Sequence, residues 1–352
     1  MIPIEIDRID RDILSFLSEQ FDDASHAEVA LSAPLQQRRG ISRQAATALL
    51  SRLAKNGILS PVEGTRPKRY KLRYHMVLEK FYKLHGLEEH IVWADDVMPI
   101  LRRYVGHDAL KIWEYGFTEM VNNAIDHSEG KTLRVRCSVS AIDALCSIMD
   151  DGEGIFRRVT RLCNLVDERQ AILELSKGKL TTDPSRHTGE GLFFTSRAMD
   201  WFLLQSYGLF FNHAAEDGER NWLVETDDEV RGTMVMMELA HDTDRSLRAL
   251  FDQFAAPESY SFNKTIVPVR LAKIGAESLV SRSQAHRLMA RVDKFEMVIL
   301  DFSEVESIGQ AFADEIFRVF QVQHPEVQIM FKNANDDVEF MIKRAMSNKK
   351  PD

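Results

Sequence analysis

Four short stretches follow one another in the chain: EMVNNAIDH at residues 119–127, DDGEG at 150–154, HTGEGL at 187–192 and RGT at 231–233. Each sets an acid, amide or hydroxyl beside glycines or on a helix. Spread so widely, they can act together only if the fold returns the chain to one place four times. The first lies on a helix, WEYGFTEMVNNAIDH, whose apolar stripe is Phe117, Met120, Val121 and Ala124. Glu119 and Asn123 are four apart and so project from one face of it. Two alternating strands, 133–139 and 144–149, lead to Asp150, and Gly152 and Gly154 supply the turn that follows.

The long segment 156–187 is rich in donors, Arg157, Arg158, Lys177, Lys179 and Arg186, and ends at His187 and Thr188. A segment of this length and character is expected to act as a closing lid. Gly189 and Gly191 precede an apolar helix over 192–201 that begins at Leu192, which leaves that helix's first N–H groups open to phosphate oxygens. Thr233 opens a strand over 234–239.

This set suits Mg-ATP. An asparagine carbonyl such as Asn123 is a ligand for a hard cation, and Glu119 can deprotonate a water or hydroxyl that attacks the γ-phosphate. Asp150 can accept from the exocyclic amine of adenine, where guanine carries an oxygen. Gly152 and Gly154 let the backbone approach the base, Lys177, Lys179, His187 and Thr188 can reach phosphates, and Thr233 can hold a water beside adenine. Two other patterns carry nothing. Gly130-Lys131-Thr132 lacks the glycine a phosphate-binding loop needs five positions earlier, where Ile125 stands, and His85 and His90 are not at the four-residue spacing of two zinc ligands on one helical face.

The order Glu-xxx-Asn-Ala, Asp-x-Gly-x-Gly, Gly-x-Gly-Leu, Gly-Thr resembles the GHKL superfamily of gyrase, heat-shock chaperones, MutL and histidine kinases, over residues 108–243. Within it, EMVNNAIDHS is most similar to bacterial anti-sigma serine kinases. The resemblance implies an α/β sandwich in which Asn123 ligates magnesium, Glu119 is the base, Asp150 binds adenine, and Gly189 with Gly191 cradles phosphates. Asp151 departs from the Asn that often follows the first Asp.

The net charge is −9, which argues against a protein coated for nucleic acid, but the charge is uneven. Between Gln36 and Arg73 there are ten Lys or Arg and one acid, Glu63. Residues 1–74 read as a separate module. A helix over 9–21 leads past Pro34, expected to disrupt the next helix, to a helix capped by Ser42 with Ala46, Leu49, Leu50 and Leu53 at helical spacing. Asn56 and Gly57 stop it, and strand signals at 58–62 and 68–72 flank a turn. The pattern resembles a winged helix-turn-helix. Arg43, Gln44, Thr47 and Ser51 would lie on the exposed face of the recognition helix, and Arg66, Lys68 and Arg69 in the wing, where they can contact DNA. The same basic face can serve docking or dimerisation. Residues 75–107 are expected to form a helical connector, from Val77, Phe81, Leu84 and then Val97, Ile100, Leu101, Tyr104.

Beyond a break near 255–262, strands and helices alternate to the end: strands at 265–271, 297–302 and 327–331, helices at 276–292, 310–320 and 337–346. That pattern predicts a small α/β layer with parallel strands. ILDFSEVESIGQAFADEIFRVF resembles STAS-like domains, the fold of anti-sigma factor antagonists, so residues 261–352 are expected to dock a protein partner or a second copy. Ala311 stands where antagonist domains carry the phosphorylated serine. Cys137, Cys146 and Cys163 form no CxxC pair and are expected to be free thiols, the first two buried.

A cytoplasmic homodimer with no membrane span is expected. Its leading function is an ATP-operated regulatory switch with slow Mg-dependent hydrolysis, coupled to DNA binding or partner docking. A protein serine kinase, and a DNA-binding regulator for which ATP is only a ligand, are the alternatives.

Overall fold

A computed structural model describes residues 6, 9–21, 27–180, 189–214, 220–255, 261–273 and 278–347, with the backbone alone described over 220–229. Near the N-terminus, helices α1 (Arg11–Phe21), α2 (Ser32–Arg39) and α3 (Arg43–Lys55) precede a short antiparallel ribbon, β1 (Leu59–Pro61) with β2 (Tyr70–Leu72). Ser42 caps α3 by accepting the Ala45 N–H at 3.2 Å. The apolar spacing buries Phe16, Leu17, Leu35, Ala46 and Leu50 together. Pro34 does not disrupt α2. It occupies the first turn, whose N–H groups have no helical acceptor, so the N–H it lacks is not missed.

The expected helical connector is corrected at its start. His75–Lys83 is a strand, β3, paired antiparallel with β4 (Thr132–Val139) at the edge of a five-stranded sheet. Phe81 is 66% exposed, which a buried helical stripe would not allow. Cross-strand pairing prevails there over a local helical period. Helical turns do follow, α4 (Glu89–Val92), a π turn at Trp93–Val97 and α5 (Met98–Leu101).

Helix α6 (His107–His127) buries Ala109, Ile112, Trp113, Gly116, Phe117, Met120, Val121 and Ala124, the three-and-four spacing of one face. It packs on the sheet formed by β3, β4, β5 (Asp143–Asp150), β7 (Arg220–Ala240) and β6 (Trp201–Ala214), in the order β3-β4-β5-β7-β6 with every pair antiparallel. Cys137 and Cys146 face each other across β4 and β5 as buried free thiols, and Cys163 is half-buried.

The segment expected as a closing lid contains two helices in its described part, α7 (Ile155–Cys163) and α8 (Glu168–Lys177), the second capped by Asp167. Helix α9 (Gly191–Ala198) ends before Trp201, which begins β6, so the sheet holds a long hairpin that the apolar pattern alone does not reveal. Phe193 and Phe194 of α9 make edge-on and tilted contacts with Phe254 of α10 (Leu247–Phe254) and with Phe262.

The C-terminal third has the alternating pattern. Strands β8 (Lys264–Pro268), β9 (Met297–Asp301) and β10 (Gln328–Lys332) form a parallel sheet in the order β10-β9-β8. Helix α11 (Arg282–Met289) starts at a capping box made by Ser281 and Gln284, later than residue 276. Helix α12 (Gln310–Asp314) continues through a π turn, Glu315–Phe320, into α13 (Gln321–Gln323), and α14 (Asp336–Ser347) ends the described chain. Among the described residues no helix is long and apolar enough to cross a membrane.

Candidate functional site

A cavity of about 320 Å³ opens between α6 and the sheet, within the range of small-ligand sites. Ile148, Leu204 and Val235 on three adjacent strands, with Met120 and Ala124 of α6 and Ile155 and Val159 of α7, make its apolar walls. Its polar groups are few: Glu119, Asn122, Asn123, His127, Ser128, Asp150, Arg158 and Thr233. Gly189, Gly191 and Leu192 complete it at the start of α9. All four stretches singled out in the sequence therefore contribute to the cavity wall, the DDGEG stretch through Asp150 and the RGT stretch through Thr233.

Asp150 is pinned there. Its Oδ1 accepts the N–H of Gly152 at 2.8 Å and of Thr233 at 3.2 Å, while the Thr233 hydroxyl accepts the N–H of Ile155 at 3.0 Å. Burial pushes the Asp150 carboxyl up to about 6, with those two N–H groups acting in the opposite direction. Asp151 is turned away and holds the hairpin: burial acts to raise its carboxyl, but bonds from Thr132 and Lys131 outweigh that and lower it. The departure at position 151 is thus a structural acid.

Two glycines lie in close contact with their neighbours. A Cβ at position 191 would fall on the Glu119 carboxylate, so that side chain lies directly against the start of α9. Gly154 has φ +91° and abuts Ser206 and Tyr207 of β6. Gly152 and Gly154 shape the turn and do not line the cavity wall. The surroundings near the start of α9 are acidic: the Tyr115 phenol is pushed up by burial first and then by the fields of Glu119 and Glu190.

The two lysines expected to reach phosphate are placed elsewhere, a correction to the sequence expectation. Lys177 is buried against Glu174 at 2.7 Å and donates to the Ala290 carbonyl at 2.8 Å. Lys179 donates to Asn263 Oδ1 at 3.1 Å and the Lys294 carbonyl at 3.0 Å. Both ammonium groups donate to carbonyl oxygens of the C-terminal layer, and Lys177 also pairs with the Glu174 carboxylate of its own helix. His187 and Thr188 lie outside the described residues. Sequence reasoning missed most of the apolar wall. Ile148 and Val235 share a sheet face with Asp150 and Thr233, two residues away, so the period of two held that signal. Leu204 lies on the strand the apolar pattern hid.

On the N-terminal module, Arg43, Gln44 and Thr47 are exposed along α3, and Arg66, Lys68 and Arg69 are exposed between β1 and β2. Arg69 also donates to the Glu28 carbonyl at 2.8 Å. Arg38 and Arg39 are neutralised by Asp10, Asp12 and Glu19 of the first helix and its approach, so they add nothing to an outward basic face.

Residues 284–339 match the family model of a STAS-like domain of unknown function (DUF4325). No curated protein matches the chain. The C-terminal layer is therefore STAS-like over that span, as its sequence resemblance implies. Ala311 lies in the first turn of α12.

Proposed function

We propose that the chain is an adenine-nucleotide-operated regulatory switch with a GHKL-type domain, coupling nucleotide state to its N-terminal and C-terminal modules and resetting by slow Mg-dependent hydrolysis. The observation that carries this is the convergence of Glu119, Asn123, Asp150, Thr233, Gly189 and Gly191 on one cavity from four separated stretches. Adenine would lie against Ile148, Leu204 and Val235 with its exocyclic amine donated to Asp150. The phosphates would meet the N–H groups at the start of α9.

The donor set fits magnesium. Asn123 offers an amide oxygen to the ion, and the local field at Tyr115 is negative. Among the described residues no group of three or more His, Cys, Asp or Glu could hold a metal ion. The remaining oxygens would come from phosphate and water, the pattern this ion favours. When bound, the ion neutralises phosphate charge and positions the terminal phosphate. Glu119, which lies beside Gly191, would take a proton from the attacking water.

Labelled ATP tests this reading. Release of inorganic phosphate, with no label left on protein, supports the switch. A second reading, a protein serine kinase, is favoured by the attached STAS-like module, the fold that carries the target serine in antagonist domains. Ala311 has no hydroxyl to accept phosphate, so the acceptor would be a separate protein. Label transferred to a lysate protein would support the kinase, and neither product would leave a nucleotide-binding regulator that does not turn over.

The N-terminal module is proposed as a winged helix that contacts DNA. Its exposed cations sit on α3 and in the ribbon turn. Each phosphate contact contributes about 0.9 to the slope of log affinity against log salt. Removing Arg66, Lys68 and Arg69 together is therefore expected to weaken duplex binding and flatten that slope by roughly 2–3. An unchanged slope in a salt titration would assign the basic face to protein docking.

A further inference from the structure

Residues 174–180, the end of α8 and the turn after it, face two ways. Leu175 and Leu180 line the cavity. The residues around them grip the STAS-like module. Glu174 receives Lys177 Nζ at 2.7 Å and Arg291 at 3.1 Å. Lys177 Nζ also donates to the carbonyls of Ala290 at 2.8 Å and Arg287 at 3.3 Å, so all three of its N–H directions are used. The Lys177 carbonyl accepts the Thr265 hydroxyl at 2.7 Å, and Gly178 packs on the Phe262 ring with no room for a Cβ. Lys179 lies over the Phe295 ring at 4.8 Å besides its bonds to Asn263 and Lys294. Arg291 reaches further, donating to the Cys163 carbonyl at 3.2 Å, and Cys163 ends α7, whose Ile155, Arg158 and Val159 also line the cavity.

Such an interface is specific. Glu174 and Lys177 are 4% and 2% exposed and pair with each other inside α8, while Arg291 and the carbonyls of Arg287 and Ala290 meet that buried pair from the module, so a shift of the module would strip buried charges of these partners. The wall of the cavity and the face of the module are thus successive residues of one short segment. A bound molecule that needs Leu175 and Leu180 in place must also favour the docked module, through differential affinity for the two arrangements.

We propose that the STAS-like module sets the nucleotide affinity of the cavity through residues 174–180, and that nucleotide in turn sets how tightly the module is held. This coupling is reciprocal by linkage, and it rests on the nucleotide reading above. The residues of the grip act as positioning groups: Lys177, Lys179 and Arg291 are absent from the cavity wall.

The test uses the full chain. Amide deuterium exchange over α11 and residues 290–295 is expected to slow at least about fivefold on saturation with Mg-ATP, at the lower end of typical coupling. Arg291→Gln, which withdraws a cation from Glu174 and Cys163 without touching the cavity, is expected to shift the Mg-ATP dissociation constant at least about fivefold. Arg318→Gln is the control. It removes a cation of the same module that pairs with Asp314, within its own helical segment, and should leave the constant unchanged. If Arg291→Gln fails to fold, Lys179→Gln carries the same measurement. A wild type that binds Mg-ATP with α11 exchange unaltered, and a folded grip variant with an unaltered constant, would overturn the coupling alone. A wild type that binds no adenine nucleotide would remove the nucleotide reading and the coupling together.

Discussion

Glu119→Gln is expected to lower the rate of ATP hydrolysis by about 10²- to 10⁴-fold, the contribution of a positioned general base, while Mg-ATP still binds. The carboxylate lies against Gly191 at the start of α9, so a side chain of nearly the same shape is the least disturbing replacement. Glutamine has that shape and cannot accept the proton of the attacking water. Steady-state phosphate release beside equilibrium binding separates the possibilities. An undiminished rate would move the base elsewhere, and loss of binding would make Glu119 a ligand of the nucleotide or its metal.

Asp150→Asn is expected to have effects of opposite sign on binding and on stability. In the proposed complex the carboxyl accepts from the adenine amine, and hydrogen bonds to charged groups contribute about 1.5–3 kcal/mol, so the variant is expected to lose roughly 10- to 100-fold in ATP affinity at pH 8. The loss narrows toward pH 5, because burial pushes the wild-type carboxyl up to about 6 and it is then largely neutral. For stability the sign runs the other way. A carboxyl whose pKa is higher folded than unfolded binds more protons in the native state, so wild-type stability falls as pH rises between about 4 and about 6. With the carboxyl raised from its ordinary 3.8 to about 6, the ionised group costs at most about 3 kcal/mol above that window. Asparagine carries no such cost, and its side-chain oxygen can accept the same N–H groups of Gly152 and Thr233. The nucleotide-free variant is therefore expected to be more stable than wild type at pH 8, with little difference at pH 4. Denaturant titrations at the two pH values measure it, and equal stability at pH 8 would mean that Asp150 is not desolvated.

The chemistry of the cavity was legible because it uses residue types with few other reasons to occur together. Glu119 and Asn123 share a helical face by spacing alone, and Asp150 precedes a turn that needs glycines. The lysines were misplaced for a physical reason: a donor-rich segment shows that cations are available, and only the fold shows which oxygens they meet. Lys177 and Lys179 meet the carbonyls of Ala290 and Lys294, more than a hundred residues away, and no local pattern encodes that. The strand at His75–Lys83 was hidden likewise, because its identity comes from pairing with β4 while its own sequence carries a helical period. Capping signals fared better. Ser42 starts α3 where the sequence places it, whereas the box at Ser281 starts α11 beyond the expected position. The N-terminal basic count overstated the outward charge, since Arg38 and Arg39 fold back on acids of the first helix.

Titration calorimetry of the full chain with Mg-ATP, and separately with Mg-GTP, tests whether these separated stretches build an adenine site. Saturable binding of ATP to one site per chain, weakened in Asp150→Asn and much poorer with GTP, is the expected result. Equal heats for the two nucleotides would remove the role given to Asp150, and no heat with millimolar ATP would contradict the proposed function as a whole.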